Sequence, residues 1–433
     1  MGTPGLGFTP AMARAYSSFP RYHWGRMYCT RISSNPAASN PALALSVDAC
    51  EIPVLFIGIA SVPPSRAGSL GVRPLAHASA RMEPSLTTTT SNGSQIRRRA
   101  AALLEVAGVF VAGNTAASWL GQWLGVRSLG PMLESALKAP EPDLVPLTWA
   151  LLQALGVQYG CLLPLAFGIG WWHRRRTLSR CGLTTAGHSL PGLVAIGLLG
   201  FCLVALPFKV LWIVQQHVSL GAGSFWWTLF ARSWTPSFWL FFAVGSFVLV
   251  PVIEELFFRG YCQSRLEEDF GGSSAMVIAA LFFVFTHGQY HQASILSAAT
   301  MLCMVPMALG IGYVYLRTRS LVPCIALHAA LNFPTKGTYD IVLPVVMILG
   351  LVAFRRHWLR AVRDFGRRMP GIDALATLVG VFCAVAVAAG FQRWPGVFVP
   401  LASGGLAVAL FMEYRERLLA RTIVPLEPEE MVT

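Results

Sequence analysis

Residues 236–261 read PSFWLFFAVGSFVLVPVIEELFFRGY. The stretch is lipid-soluble helix except at two adjacent glutamates, Glu254 and Glu255, and an arginine one turn later, Arg259. An ionised carboxylate near the bilayer centre costs roughly 2.5–3.5 kcal/mol on insertion scales. Two side by side are read first as a functional site, and the next question is which residues partner them.

Composition places that stretch in a membrane. Only 12% of the 433 residues are charged and 55% are hydrophobic, with a mean hydropathy of +0.57. A soluble globular chain carries about 25% charged residues. The formal net charge is +13, and in a membrane protein surplus positive charge marks cytoplasmic loops. Nucleic acid is not expected as a partner, because the arginines lie between apolar spans and not on one compact domain. The nine cysteines are scattered, Cys161, Cys202, Cys303 and Cys383 within apolar spans, and none forms a C-x-x-C pair. They read as small apolar fillers, with no disulfide framework and no zinc ribbon.

Residues 1–95 are rich in Ser, Pro, Ala, Gly and Thr, and their one apolar run, Ile52 to Val62, is too short to cross a bilayer, which takes about 20 residues. The segment reads as a disordered tail without a signal peptide. A second reading starts translation at Met82, just ahead of Arg97–Arg99. From Ala100 the chain offers ten apolar segments: 100–124, 144–172, 189–215, 236–260, 273–288, 293–316, 320–334, 340–354, 374–391 and 396–412. The expected fold is all-α, a polytopic transmembrane helical bundle of about ten spans, eight in a core plus two carboxy-terminal ones. Several are short, so those near the glutamates are expected to tilt, to be re-entrant or to be buried by neighbours. Every second loop is basic: Arg97–Arg99, Arg174–Arg176, Arg265, Arg317 with Arg319, the six arginines between Arg355 and Arg368, and Arg415, Arg417 and Arg421. The positive-inside rule then puts a multi-pass protein in the cell (inner) membrane with both termini cytoplasmic. Trp171, Trp172, Trp226, Trp227 and Trp394 fall near span ends, as an aromatic belt would. The divisions are a tail (1–95), amino-terminal membrane helices (96–188), a core (189–354), added carboxy-terminal helices (355–412) and a cytoplasmic tail (413–433).

Glu255 and Arg259 stand at i,i+4 on one helix face and can pair. Glu254 is offset by about 100° and faces other surroundings, where a carboxyl in an apolar pocket suits proton transfer near neutral pH. The expected division is Glu255 structural and Glu254 chemical. Two later segments supply polar groups that need buried partners. LFFVFTHGQYH ends the fifth segment with Phe283 and His287, and SLVPCIALHAALNF places His328 and Asn332 at i,i+4. A lone histidine in such a helix is commonly a packing residue and a lone asparagine interhelical glue; the site reading rests on their joint occurrence in three segments.

The series E-E-x-x-x-R (Glu254, Glu255, Arg259), F-x-x-x-H (Phe283, His287) and H-x-x-x-N (His328, Asn332) resembles the CPBP, or Abi, intramembrane proteases, which include the type 2 CAAX prenyl proteases. The resemblance covers about residues 189–354. It implies a glutamate-dependent intramembrane endopeptidase that acts in the lipid bilayer on a membrane-anchored protein or peptide, with Glu254 and His287 activating water, His328 and Asn332 holding the oxyanion, and Glu255, Arg259 and Phe283 supporting. The residue types fit: a carboxylate and an imidazole can share a water, and Asn and His donors suit a tetrahedral oxyanion. Substrates could be CAAX-type tails, leaders or C-terminal sorting segments; an Ala- and Arg-rich, Lys-poor chain fits a GC-rich bacterium, where the last two are expected. No cofactor is expected. Zinc is the alternative, on Glu254, His287 and His328, against which H-E-x-x-H is absent and Asn is a poor ligand. Two other functions stay open: a non-catalytic scaffold or immunity protein of the same family, and an ion-coupled transporter, for which no inverted repeat stands out.

One geometric demand follows. If the fourth segment ended at Arg259, Glu254 would lie about 8 Å from the face and His287 about 21 Å deep. They can share a water only if that helix continues through Tyr261–Leu266, with Gly271–Gly272 as the turn, or if the fifth segment starts deeper or is re-entrant.

Overall fold

The computed structural model describes residues 92–127, 129, 132, 143–172, 181–218, 220, 235–333 and 339–422. Outside them lie the expectations for the first 91 residues and Met82, for Arg174–Arg176, Trp226 and Trp227, and for the tail beyond Thr422. The unit Gly93–Thr433 holds the described residues apart from Asn92, which belongs to a separate unit, Arg31–Asn92.

Regular structure among the described residues is entirely helical. The order is α1 (Asn92–Trp123), α2 (Val145–Trp172), α3 (Leu190–Val204), α4 (Leu206–His217), α5 (Pro236–Phe270), α6 (Gly272–Thr286), α7 (Ile295–Thr318), α8 (Val322–Leu331), α9 (Tyr339–Ala353), α10 (Arg355–Arg368), α11 (Ala374–Arg393) and α12 (Pro395–Thr422). Six helices are long and apolar enough to cross a membrane, or up to eight if α3 with α4, bent by 48°, and α9 with α10, bent by 81°, each count as one span. These counts cover the described residues, and the expected all-α membrane bundle stands, its figure of about ten spans close but not exact. Each of the ten apolar segments forms helix, but α6 and α8, with 15 and 10 residues, reach only about 22 Å and 15 Å, short of a core of about 30 Å. They are the helices that lead to His287 and carry His328.

α5 spans 35 residues and meets the depth demand. Thr235 caps its start by accepting from the Phe238 amide, with Pro236 in the first turn. It runs past Arg259 to Phe270, and Gly271, at φ 78°, turns the chain into α6. That left-handed conformation is cheap only for glycine. At 1.5 Å per residue Glu254 stands about 24 Å from Phe270 and His287 about 22 Å from Gly272, so the α5–α6 hairpin brings them to similar height.

α5 is not uniform. Two π-helical stretches, Ala243–Leu249 and Leu256–Gln263, flank the α-helical turn Val250–Glu255 that carries the glutamates. Pro251 gives a local cause. In the first stretch Val250 donates to the Gly245 carbonyl, five residues back; the next such bond would join residue 251 to Ser246, but proline has no N–H. π stretches of this kind recur at functional sites.

Around this helix the bundle closes tightly. α3 lies on α8 where a Cβ on Gly197 would stand 2.5 Å from the Pro323 carbonyl oxygen, so that contact requires glycine. The carboxy-terminal helices are part of the same packing. α11 packs along α6, burying Ala384 and Ala388, and α12 buries Ala402, Leu406 and Ala409.

Candidate active site

Glu255 is fully buried and Arg259 is 1% exposed. The pair expected from i,i+4 spacing is formed, Arg259 Nη1 donating to Glu255 Oε1 at 3.2 Å. Arg259 Nη2 donates to the Ala308 carbonyl of α7 at 3.3 Å, and the guanidinium lies 4.6 Å from the centre of the Phe283 ring, an arrangement that stabilises a desolvated cation. Phe283 also meets the rings of His287 at 4.6 Å and His328 at 5.8 Å, both edge-on. The phenylalanine of the F-x-x-x-H pattern is thus the apolar hub on which the arginine and both histidines rest.

His328, buried on α8, stands between the glutamates. Its Nδ1 lies 2.7 Å from Glu255 Oε1, and its Nε2 is 3.8 Å from Glu254 Oε2. A carboxylate can only accept, so Nδ1–H donates to Glu255. Two carboxylate oxygens, Glu254 Oε2 and Glu255 Oε2, are buried without a hydrogen-bond partner. Glu255 therefore holds His328 as well as Arg259, and the near neighbour of Glu254 is His328.

His287 follows the last turn of α6. Its Nδ1 lies 2.8 Å from the Phe283 carbonyl, which fixes the proton on Nδ1 and leaves Nε2 a lone pair in the neutral ring. Tyr290 stacks alongside at 6.3 Å. Among the described residues no hydrogen bond or ion pair joins His287 to Glu254. Asn332, at the end of α8, donates through Nδ2 to the Ser246 carbonyl at 2.9 Å, the carbonyl that Pro251 cannot serve. Helix breaks in membranes are satisfied by side chains of neighbouring helices in this way.

Among the described residues no group of three or more His, Cys, Asp or Glu is placed to hold a metal ion. Glu254, His287 and His328 do not converge as a ligand trio.

Two neighbours of the site escaped the sequence patterns. Lys209 of α4, 7% exposed, donates to the Phe333 carbonyl at 3.0 Å and so holds the chain just after Asn332. Gln392 of α11 donates to the Thr286 carbonyl at 2.9 Å, next to His287. A polar or ionisable side chain inside an apolar segment was the available signal in each case.

Residues 235–334 match the family described as Type II CAAX prenyl endopeptidase Rce1-like. The match spans α5 to the end of α8, less than half of the chain, and contains every residue of the three motifs. It supports assignment to the CPBP/CAAX protease family, and with the apolar helices it points to a multi-pass membrane protein with protease character. No curated protein and no solved structure matches the chain.

Proposed function

We propose that the protein is an intramembrane endopeptidase that hydrolyses a peptide bond near the membrane-anchored end of a protein or peptide, of CAAX type or in a leader or sorting segment. The observation that carries this reading is Glu254, whose Oε2 is buried, without a hydrogen-bond partner and 3.8 Å from His328 Nε2, within a matched family segment. Glu254 takes a proton from a water that His287 Nε2 orients as acceptor. The water oxygen bonds to the peptide carbonyl carbon, and the carbonyl π pair moves onto its oxygen. His328 Nε2–H, backed by Glu255, donates to that oxyanion. The tetrahedral adduct then collapses, the C–N bond breaks, and the proton held by Glu254 passes to the departing amine. Asn332 contributes by holding the π stretch that sets the height of Glu254, and its second amide hydrogen is left to meet the oxyanion. No step is routed through a metal.

The test is hydrolysis by the purified protein in proteoliposomes, against C-terminally prenylated peptides and unlipidated membrane-anchored peptides. Glu254→Gln is expected to lower the rate about 10²–10⁴-fold, the usual worth of a positioned general base, with thermal unfolding unchanged. Retained cleavage in that variant would remove Glu254 as the base.

A further inference from the structure

The stretch expected to be a basic loop after the eighth segment is helix α10, RRHWLRAVRDFGRR. It leaves the axis of α9 at 81°, and none of its residues is buried. One side is anchored to the bundle. Asp364 accepts from the Tyr313 hydroxyl at 2.8 Å and from Arg368 Nε at 2.9 Å and stands 3.6 Å from Arg317; the Arg368 bond, ahead of the others, holds its carboxyl below the usual carboxylate range. Phe365 meets the Tyr313 ring edge-on at 5.7 Å.

Another side of the helix carries a stripe of arginines. Arg356, Arg360, Arg363 and Arg367 repeat at i, i+4, i+7 and i+11, which confines them to a sector of about 60° at 100° per residue. All four are exposed, and none has an acidic partner among the described residues. Like charges at such spacings destabilise a helix by about 0.2–0.5 kcal/mol per pair, so an isolated α10 would resist this stripe. Beside it lie exposed Leu359 and Val362. A right-angled helix at the end of an apolar segment, with an arginine stripe next to an apolar strip, has the pattern of a helix lying in a bilayer surface.

We propose that α10 docks on anionic phospholipid headgroups, with Arg356, Arg360, Arg363 and Arg367 on the phosphates and Leu359 and Val362 in the acyl boundary. The contacts of Arg99 with Asp269 and Asp373, of Arg265 with Glu413, of Arg319 with Glu267 and of Arg317 with Asp364 gather the basic residues at one end of the bundle. The positive-inside rule makes that end cytoplasmic, where the leaflet is anionic.

The full chain in nanodiscs of phosphatidylcholine alone, or of phosphatidylcholine with phosphatidylglycerol, tests this by hydrogen exchange over residues 355–368. Anionic discs should protect the segment about five-fold per arginine engaged, and several-hundred-fold at most for all four. High salt should erase the difference, as should changing the four arginines to Gln. Single Arg→Gln variants, which leave the anchoring Asp364 contacts alone, should lose protection stepwise. Equal protection in both discs, or full protection in the quadruple variant, overturns the proposal. Protection of neutral discs by added inorganic phosphate would also overturn it, by assigning the stripe to a free anion.

Discussion

One helix carries two buried charge clusters, and they connect different parts of the molecule. Near the middle of α5, Glu255 and Arg259 pair at i,i+4; a little over a turn beyond Arg259, Arg265 and Asp269 repeat the spacing at 2.7 Å. In the second cluster Arg265 Nε meets Glu105 of α1 at 2.9 Å and Nη2 meets Glu413 of α12 at 2.8 Å, while the Tyr261 hydroxyl donates to Glu105 at 3.1 Å. Every arm of that arginine is engaged, and the first and last helices are tied to α5 through it. Carboxylate oxygens outnumber donors in both clusters; what sets the first apart is that Glu254 Oε2 and Glu255 Oε2 lie buried without a hydrogen-bond partner close to His328. The second cluster joins helices distant in sequence, whereas the first is a place where a substrate or water can supply the missing partner.

The most direct way to break this contrast is Arg265→Met. It strands Glu105, 1% exposed, and should cost about 3–5 kcal/mol, the usual penalty for removing one partner of a buried ion pair. Thermal unfolding in detergent reads the loss, and hydrolysis per folded molecule should be preserved. If activity per folded molecule falls as far as in Glu254→Gln, the two clusters are one device. His328→Ala sharpens the other side. It deletes the proposed oxyanion donor and the bridge between the glutamates, so turnover should fall about 10²–10³-fold with KM nearly unchanged; a change confined to KM would make His328 a binding residue only.

Much of this was legible in sequence. Hydropathy located the helical segments, and i,i+4 spacing paired Glu255 with Arg259. The depth mismatch between Glu254 and His287 required either that the fourth segment continue past Arg259 or that the fifth start deeper or be re-entrant, and α5 does continue. The rest depends on partners that spacing cannot name. Nothing periodic in 243–249 announces a π stretch, although Pro251 is its visible cause, and only the fold shows that Asn332 answers the Ser246 carbonyl. The bridging of both glutamates by His328 is a tertiary fact. α10 read as a loop because arginine dominates it, although its period of Arg356, Arg360, Arg363 and Arg367 was present.

The carboxy-terminal helices, first set apart as additions, reach the site at Gln392. Its Nε2 bond to the Thr286 carbonyl fixes the end of α6 one residue before His287. Gln392→Ala should forfeit about 0.5–1.5 kcal/mol, felt as up to about a tenfold drop in turnover through a loosened His287. The readout that separates positioning from packing is turnover against KM, with Gln392→Glu retaining an acceptor but losing the donor and so failing to rescue. Normal turnover in Gln392→Ala would leave α11 a packing helix.

The smallest expected effect concerns the entry to that same helix. Asp373 caps α11 by accepting from the Ala376 amide at 3.1 Å, and it pairs with Arg99 of α1. The amide first, and then Arg99, hold its carboxyl below the usual carboxylate range. A group depressed on folding contributes stability that is present above its unfolded value and is lost as pH falls through the folded one. Acidification through that window should therefore speed hydrogen exchange in the first turn of α11, after correction for the intrinsic pH dependence, and leave the α5 clusters protected. Asp373→Asn keeps a cap acceptor but no titrating charge, so its exchange should not depend on pH in the same window. If wild type and Asp373→Asn respond alike, the charge on Asp373 does not hold α11 in place.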